Sequence, residues 1–111
     1  MSNVEGLKVY CFDLDGTLCS TERGSRGLKL FDKAVPYMSR IIKVNQLYDE
    51  GHLIKIETAR GRQTDMDWEE FTKKQLAGWG LKYHVLRVAE KMHADVYVDD
   101  HGINDKDFFK D

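Results

Sequence analysis

An apolar run through Val9, Tyr10, Cys11 and Phe12 stops abruptly at Asp13. A nearly continuous run, rather than an alternating one, is the pattern of a parallel strand covered on both faces, so Leu7 to Asp13 is predicted to be a strand in the middle of a sheet. From Asp15 to Leu30 apolar residues thin out, and Gly16, Gly24 and Gly27 interrupt a stretch of Ser, Thr and Arg. That composition predicts a loop or small hairpin, a flap over residues 16–30. Helical spacing returns with Met38, Ile41, Ile42 and Leu47, which predicts a helix from Ala34 to Glu50 with Pro36 in its first turn and Gly51 as its stop.

Ile54 and Ile56 mark a second strand, Leu53 to Glu57, that ends at Thr58. Asp65 to Trp79 predicts a second helix: its first turn is acidic, which suits the helix dipole, and Trp68, Phe71, Leu76 and Trp79 form its apolar stripe. Both tryptophans are read as core anchors. Tyr83 to Val88 is a third strand, interrupted by His84 and Arg87, and Ala94 to Val98 a fourth that runs into Asp99 and Asp100. A short terminal helix is expected around Asp105 to Lys110. Strands separated by helical crossovers imply an α/β fold with a parallel sheet, helices on its faces and right-handed connections.

The chain's 111 residues are enough for one hydrophobic core, so residues 1–111 are expected to form a single domain. With 17 Lys and Arg against 19 Asp and Glu, the net charge of -2 offers no basic stripe for a nucleic-acid backbone. A phosphorylated nucleotide as substrate stays open. No apolar run approaches the roughly 18–20 residues that span a bilayer, and none looks like the core of a signal peptide, which predicts a soluble, cytoplasmic protein with no membrane partner. Two cysteines, Cys11 and Cys19, are too few for a disulfide framework and are read as reduced thiols, Cys11 acting as a small apolar side chain. The histidines lack metal-ligand spacing, so zinc is not expected. His101 is read as a polar loop residue.

In open parallel sheets, ligands bind beyond the carboxyl ends of the strands, where strand order reverses. Asp13 and Asp15 end the first predicted strand, Thr58 the second, and Asp99 with Asp100 the fourth. Four carboxylates and a hydroxyl are thus expected on one edge of the sheet. Clustered carboxylates repel unless a cation neutralises them, and hard oxygen donors suit Mg²⁺, which makes Asp13, Asp15, Asp99 and Asp100 the expected metal set. Magnesium also screens a dianionic phosphate ester so that an anionic nucleophile can approach it.

The segment DLDGT, Asp13 to Thr17, behind its apolar strand resembles the first motif of the haloacid dehalogenase-like phosphatases. Thr58 within ETARGR resembles the second motif, Lys91 within EKMHADVYVDD the third, and Asp99 with Asp100 the fourth; the ordered set spans Leu7 to Asp100. The resemblance implies a three-layer, Rossmann-like domain in which Asp13 is the nucleophile that forms an aspartyl-phosphate. Asp15 would be the general acid and base, with its backbone carbonyl on the metal. Thr58 would bind a phosphate oxygen, Lys91 would neutralise the phosphoryl group, and Asp99 with Asp100 would complete the magnesium site. Where relatives often carry Gly-Lys-Pro, Lys91 stands between Glu90 and Met92.

The intervals from Thr17 to Ala34 and from Thr58 to Lys91 are too short for an inserted cap domain. An open site is therefore expected, accepting large substrates or closed over by another subunit of a homo-oligomer. Arg23, Arg26 and Lys29 on the flap are candidate contacts for an anionic or sugar-bearing leaving group. Arg60 is a candidate substrate contact, with a surface ion pair as the alternative. More narrowly, LYDEGHLIKIETARGR, QLAGWGLKYH and DVYVDD resemble the small phosphatases of capsule or lipopolysaccharide biosynthesis, which implies a sugar phosphate or related metabolite of surface polysaccharide biosynthesis as substrate. A nucleotidase or nucleic-acid end phosphatase is the competing enzyme class. A non-catalytic binding module is the reading outside enzymes.

Overall fold

The computed structural model describes residues 6–22, 30–60, 67–88, 96–99 and 103–109, with the backbone alone at 97, 99 and 103–105. In chain order the elements are β1 (Val9–Asp13), β2 (Cys19–Ser20), a 3₁₀ turn (Phe31–Lys33), β3 (Val35–Pro36), α1 (Met38–Asp49), β4 (Leu53–Thr58), α2 (Glu69–Trp79), β5 (Val85–Val88), β6 (Val96–Asp99), β7 (Ile103–Asn104) and α3 (Asp105–Phe109). Five strands form one sheet in the order β5-β4-β1-β6-β7, every neighbouring pair parallel. β1 is the middle strand, as its apolar run predicts. The chain builds outward from β1 through β4 to β5 and then returns to β6 on the other side of β1, so strand order reverses between β1 and β6.

β4 shows why the sequence folds this way: Ile54, Ile56 and Thr58 are buried, while Leu53, Lys55 and Glu57 between them are half-exposed. That period of two gives the strand one face toward the core. In register across three strands, Ile56, Phe12 and Val98 form one fully buried row. They share a core with Ile41, Val44 and Leu47 of α1 and Leu76 of α2. From α3 the Phe108 and Phe109 rings close on Phe12 at centroid distances of 5.7 and 6.0 Å. Burying a side chain like Phe12 contributes on the order of 2–3 kcal/mol, so the row is the main anchor of the strand that carries Asp13. Cys11 points to the opposite face by alternation and is buried; both cysteines are free thiols.

The amino ends of the strands are closed by histidines. His52, just before β4, accepts the Lys8 amide hydrogen through Nδ1 at 3.0 Å. His84, just before β5, accepts the Ile54 amide through Nδ1 at 3.0 Å and donates its own N–H to the Ile54 carbonyl at 2.8 Å. The His84 ring also stacks on Tyr48, 4.5 Å between centroids.

Several boundaries differ from expectation. The first long helix starts at Met38 rather than Ala34, because Val35 and Pro36 instead pair antiparallel with Ser20 and Cys19. A residue before proline is pushed toward extended backbone, and Tyr37 N–H is spent on the Leu18 carbonyl at 2.9 Å. Gly51 does end the helix, at φ +99°, a conformation that strains any residue with a Cβ. In the second helix, Asp67 Oδ1 accepts the Glu69 amide at 2.9 Å and sets the start there; the expected start at Asp65 lies outside the described residues. Its fully covered positions are Thr72 and Leu76, whereas Trp68, Phe71 and Trp79 are half-buried. β5 starts at Val85 rather than Tyr83, since His84 has turned back to β4. β6 runs on to Asp99, and β7 was not expected. Among the described residues, no helix is long and apolar enough to cross a membrane.

Candidate active site

The ladder between β1 and β4 continues one residue past Asp13, where Leu14 N–H donates to the Glu57 carbonyl at 3.1 Å. The chain then turns on the Leu14 carbonyl, which accepts the amides of Thr17, Leu18 and Cys19 at 3.2, 2.9 and 3.3 Å. Gly16 takes φ +87° in this turn and donates to the Cys19 carbonyl at 2.8 Å, so the Gly of DLDGT answers a backbone demand. Leu14 and Leu18 are fully buried and root the turn in the core. Arg40 of α1 secures it from below: Nη1 donates to the Thr17 carbonyl at 2.7 Å, and the guanidinium lies 5.1 Å from the Tyr37 ring centre and 5.0 Å from that of Phe109.

Asp15 is the focus of the turn. Its Oδ1 accepts hydrogen bonds from Thr21 Oγ1 at 2.7 Å and Arg60 Nη2 at 2.8 Å, and its Oδ2 from Thr58 Oγ1 and Arg60 Nε, both at 3.0 Å. The pair is buried, with the Asp15 side chain 7% exposed and that of Arg60 0%. Burial alone would raise the Asp15 pKa, but the hydrogen bonds and charge of Arg60, helped by Thr21 and Thr58, outweigh it and hold the carboxyl below its ordinary value. Arg60 is fixed in turn: Nη1 donates to Thr72 Oγ1 at 3.1 Å and Gln75 Oε1 at 2.8 Å, and the guanidinium lies 4.7 Å from the Phe31 ring centre. Gln75 Nε2 donates to the Phe31 carbonyl at 2.9 Å, which ties α2 to the 3₁₀ turn; of the expected flap over 16–30, residues 23–29 lie outside the described residues.

Cys19 lies against the same carboxylate, with Sγ 3.6 Å from Asp15 Oδ1 and 3.5 Å from Thr21 Oγ1. Burial, aided by the Asp15 charge, pushes this thiol up to about 11. It is a packed, protonated group rather than a nucleophile.

Arg60, expected as a substrate contact or a surface ion pair, is neither at the surface nor turned outward; it is buried and bound to Asp15. Thr58, expected to hold a phosphate oxygen, gives its hydroxyl hydrogen to Asp15 and accepts the Arg60 amide at 3.2 Å. Asp13 is half-buried at the end of β1. Register sets Glu57 of β4 beside it on one side, and on the other the Phe12–Val98 pairing puts Asp99 of β6 one step along. Three acidic positions thus line the carboxyl ends of three adjacent strands at the reversal of strand order. The side chain of Asp99 lies outside the described residues, as do Asp100, Lys91, Arg23, Arg26, Lys29 and His101 in full. Among the described residues, no three His, Cys, Asp or Glu side chains form a group able to hold a metal ion.

Sequence reasoning missed Glu57, Thr21, Arg40, Thr72 and Gln75. Thr72 did leave a signal, because it falls between Trp68 and Leu76 at four-residue spacing on the covered face of α2. A polar side chain on such a stripe implies a buried partner. Thr21 and Arg40 carry no comparable mark.

No protein-family model and no curated protein matches the chain. Among solved structures it is similar to a crystal structure of a Vibrio cholerae protein, with a TM-score of 0.69 and 21% identity over 93% of this chain and 88% of that one. A hypothetical protein from Xanthomonas campestris is a weaker match, with a TM-score of 0.49 and 21% identity over 77% of this chain and 41% of that one. At this identity the Vibrio cholerae structure shows a shared fold alone, an α/β unit with a parallel sheet and flanking helices, compatible with a Rossmann-like arrangement.

Proposed function

We propose that the protein is a magnesium-dependent phosphomonoesterase of the haloacid dehalogenase-like type, with Asp13 as nucleophile and Asp15 as general acid and base. One observation carries the reading: Asp13 stands at the carboxyl end of the central strand, where strand order reverses, and the next carboxylate along the chain is held by groups from the end of the neighbouring strand. In the first half-reaction, an Asp13 oxygen forms a bond to phosphorus as the ester P–O bond breaks, and Asp15 passes a proton to the departing alkoxide oxygen. In the second, Asp15 takes a proton from water, whose oxygen attacks phosphorus and releases inorganic phosphate with Asp13 restored.

The ion pair with Arg60 keeps Asp15 ionised at neutral pH, which suits the water-activating half directly. An incoming dianionic ester works the other way, since a nearby like charge favours the protonated carboxyl. The donor set is all hard oxygen: the Asp13 carboxylate, the Asp15 main-chain carbonyl, and the acids Asp99 and Asp100 would hold the ion. Magnesium would supply the positive charge that lets one anion approach another. Lys91 is assigned to the phosphoryl group by its motif alone.

A sugar phosphate of surface polysaccharide biosynthesis is the proposed substrate class. The test is metal-dependent hydrolysis of an aryl phosphate, followed by a panel of sugar phosphates, nucleotides and phosphorylated oligonucleotides. Turnover that needs magnesium and disappears in Asp13→Asn is expected, with sugar phosphates preferred. Equal rates in wild type and Asp13→Asn would remove the phosphatase reading, and a preference for the oligonucleotide would replace the substrate class.

A further inference from the structure

Arg60 presents a buried guanidinium to the one carboxylate that must be oriented for proton transfer. Four hydrogen bonds reach Asp15 at 3.0 Å or less, from Thr21, Thr58 and two nitrogens of Arg60, and a carboxylate has about four acceptor positions in all. For Asp15 to engage a leaving-group oxygen or a water, one of those donors must give way. A hydroxyl can rotate and accept instead of donate. A planar fork wedged between Thr72, Gln75 and the Phe31 ring cannot.

We infer that Arg60 is the positioning residue of the acid and base: it keeps its two bonds and fixes the plane of the Asp15 carboxylate, while the Thr21 and Thr58 hydroxyls are the exchangeable contacts. The position of Arg60 is set by three elements, the end of β4, helix α2 and the 3₁₀ turn at Phe31. The link through Gln75 to the Phe31 carbonyl therefore connects the 3₁₀ turn to the aim of Asp15. This inference rests on the phosphatase reading, and assigns within it a role to a residue that acts through Asp15 rather than on the substrate.

The leaving group discriminates positioning from mere support. As the P–O bond breaks, an alkoxide needs the Asp15 proton, whereas a nitrophenolate departs without it. kcat/KM covers the steps up to that departure. With magnesium present, kcat/KM is measured for wild type, Arg60→Gln, Arg60→Lys and Asp15→Asn on aryl phosphates of graded leaving-group basicity and on one alkyl phosphate. General acid catalysis typically contributes about 10²-fold or more, so Arg60→Gln is expected to lose about that factor on the alkyl ester and under about tenfold on the best aryl ester. Arg60→Lys, which keeps the charge and loses the fork, should fall between, and Asp15→Asn/Arg60→Gln should be no slower than Asp15→Asn alone. Should Arg60→Gln fail to fold, Gln75→Leu is expected to show the same asymmetry at a several-fold level, with its own thermal midpoint measured alongside as the control for folding. A uniform loss across the ester series, or losses that multiply in the double variant, would overturn the positioning role and leave the phosphatase reading standing. A wild type inert on every ester would sink both.

Discussion

Replacing Arg60 with methionine removes the charge from a guanidinium that is 0% exposed and leaves a carboxylate, itself only 7% exposed, with two hydroxyl partners. Breaking a buried ion pair from one side costs about 3–5 kcal/mol, because the orphaned charge keeps its desolvation penalty. Thr72, wholly buried, also loses the donor to its hydroxyl oxygen. Against a total stability of about 5–15 kcal/mol, that is a large fraction. At roughly 4–6 °C per kcal/mol for a chain of this length, the thermal midpoint should fall by about 12–30 °C. Asp15→Asn leaves the guanidinium half-paired and should cost about as much. Asp15→Asn/Arg60→Met removes both charges and should recover part of the loss, with a coupling energy of about 2 kcal/mol or more. Urea unfolding followed by circular dichroism would read all four proteins, provided the slope m is unchanged. A cost under about 1 kcal/mol for Arg60→Met, or a coupling under about 0.5 kcal/mol, would refute the claim that the pair is a sealed, mutually dependent unit.

Burial pushes the Asp15 pKa up, Arg60, Thr21 and Thr58 pull it further down, and the folded value ends below the ordinary 3.8. As pH falls, the unfolded chain takes up this proton first, so the stabilisation is complete above about pH 4 and is lost as pH drops through the folded value. Acid unfolding should accordingly be steeper in wild type than in Asp15→Asn; superimposable acid limbs would contradict the assignment. The Cys19 thiol, at about 11, is thiolate to only about one part in a thousand at pH 8, so iodoacetamide should spare both cysteines in the native protein and label both in urea. Rapid labelling of native Cys19 would show that the turn opens. Phe12→Ala should cost about 3–5 kcal/mol by urea unfolding, as the row between Ile56 and Val98 is emptied; a loss under about 1.5 kcal/mol would mean that the α3 rings refill the space.

The parts of this molecule that were legible in its sequence are those governed by local periodicity. The apolar run of β1 gave the middle strand, and the short β-branched run with Ile54 and Ile56 gave β4. Pattern failed where a tertiary partner overruled it. Val35 and Pro36 read as a helix start until β2 offers them a strand to pair with, and His84 reads as part of a strand until its ring is claimed by Ile54. At the site, Asp13 and Asp99 were visible because residue type and strand ends declare them, whereas Glu57, paired beside Asp13, was passed over as part of a strand. The restraint on Asp15 was not visible, because Arg60, itself held by Thr72 and Gln75, meets Asp15 only through a fold that brings a residue 45 positions earlier against the end of β4. No spacing rule reports a hydrogen bond of that separation.

The histidines at the opposite rim have a consequence for how this scaffold tolerates change. In a parallel sheet the first amides of a strand lack a neighbour to receive them, and here His52 and His84 supply the missing acceptors for the strands beside them. Alignment of the ribbon is thereby pinned at the end remote from the acids. A substitution at the acidic rim therefore leaves the register at this rim held by its own hydrogen bonds.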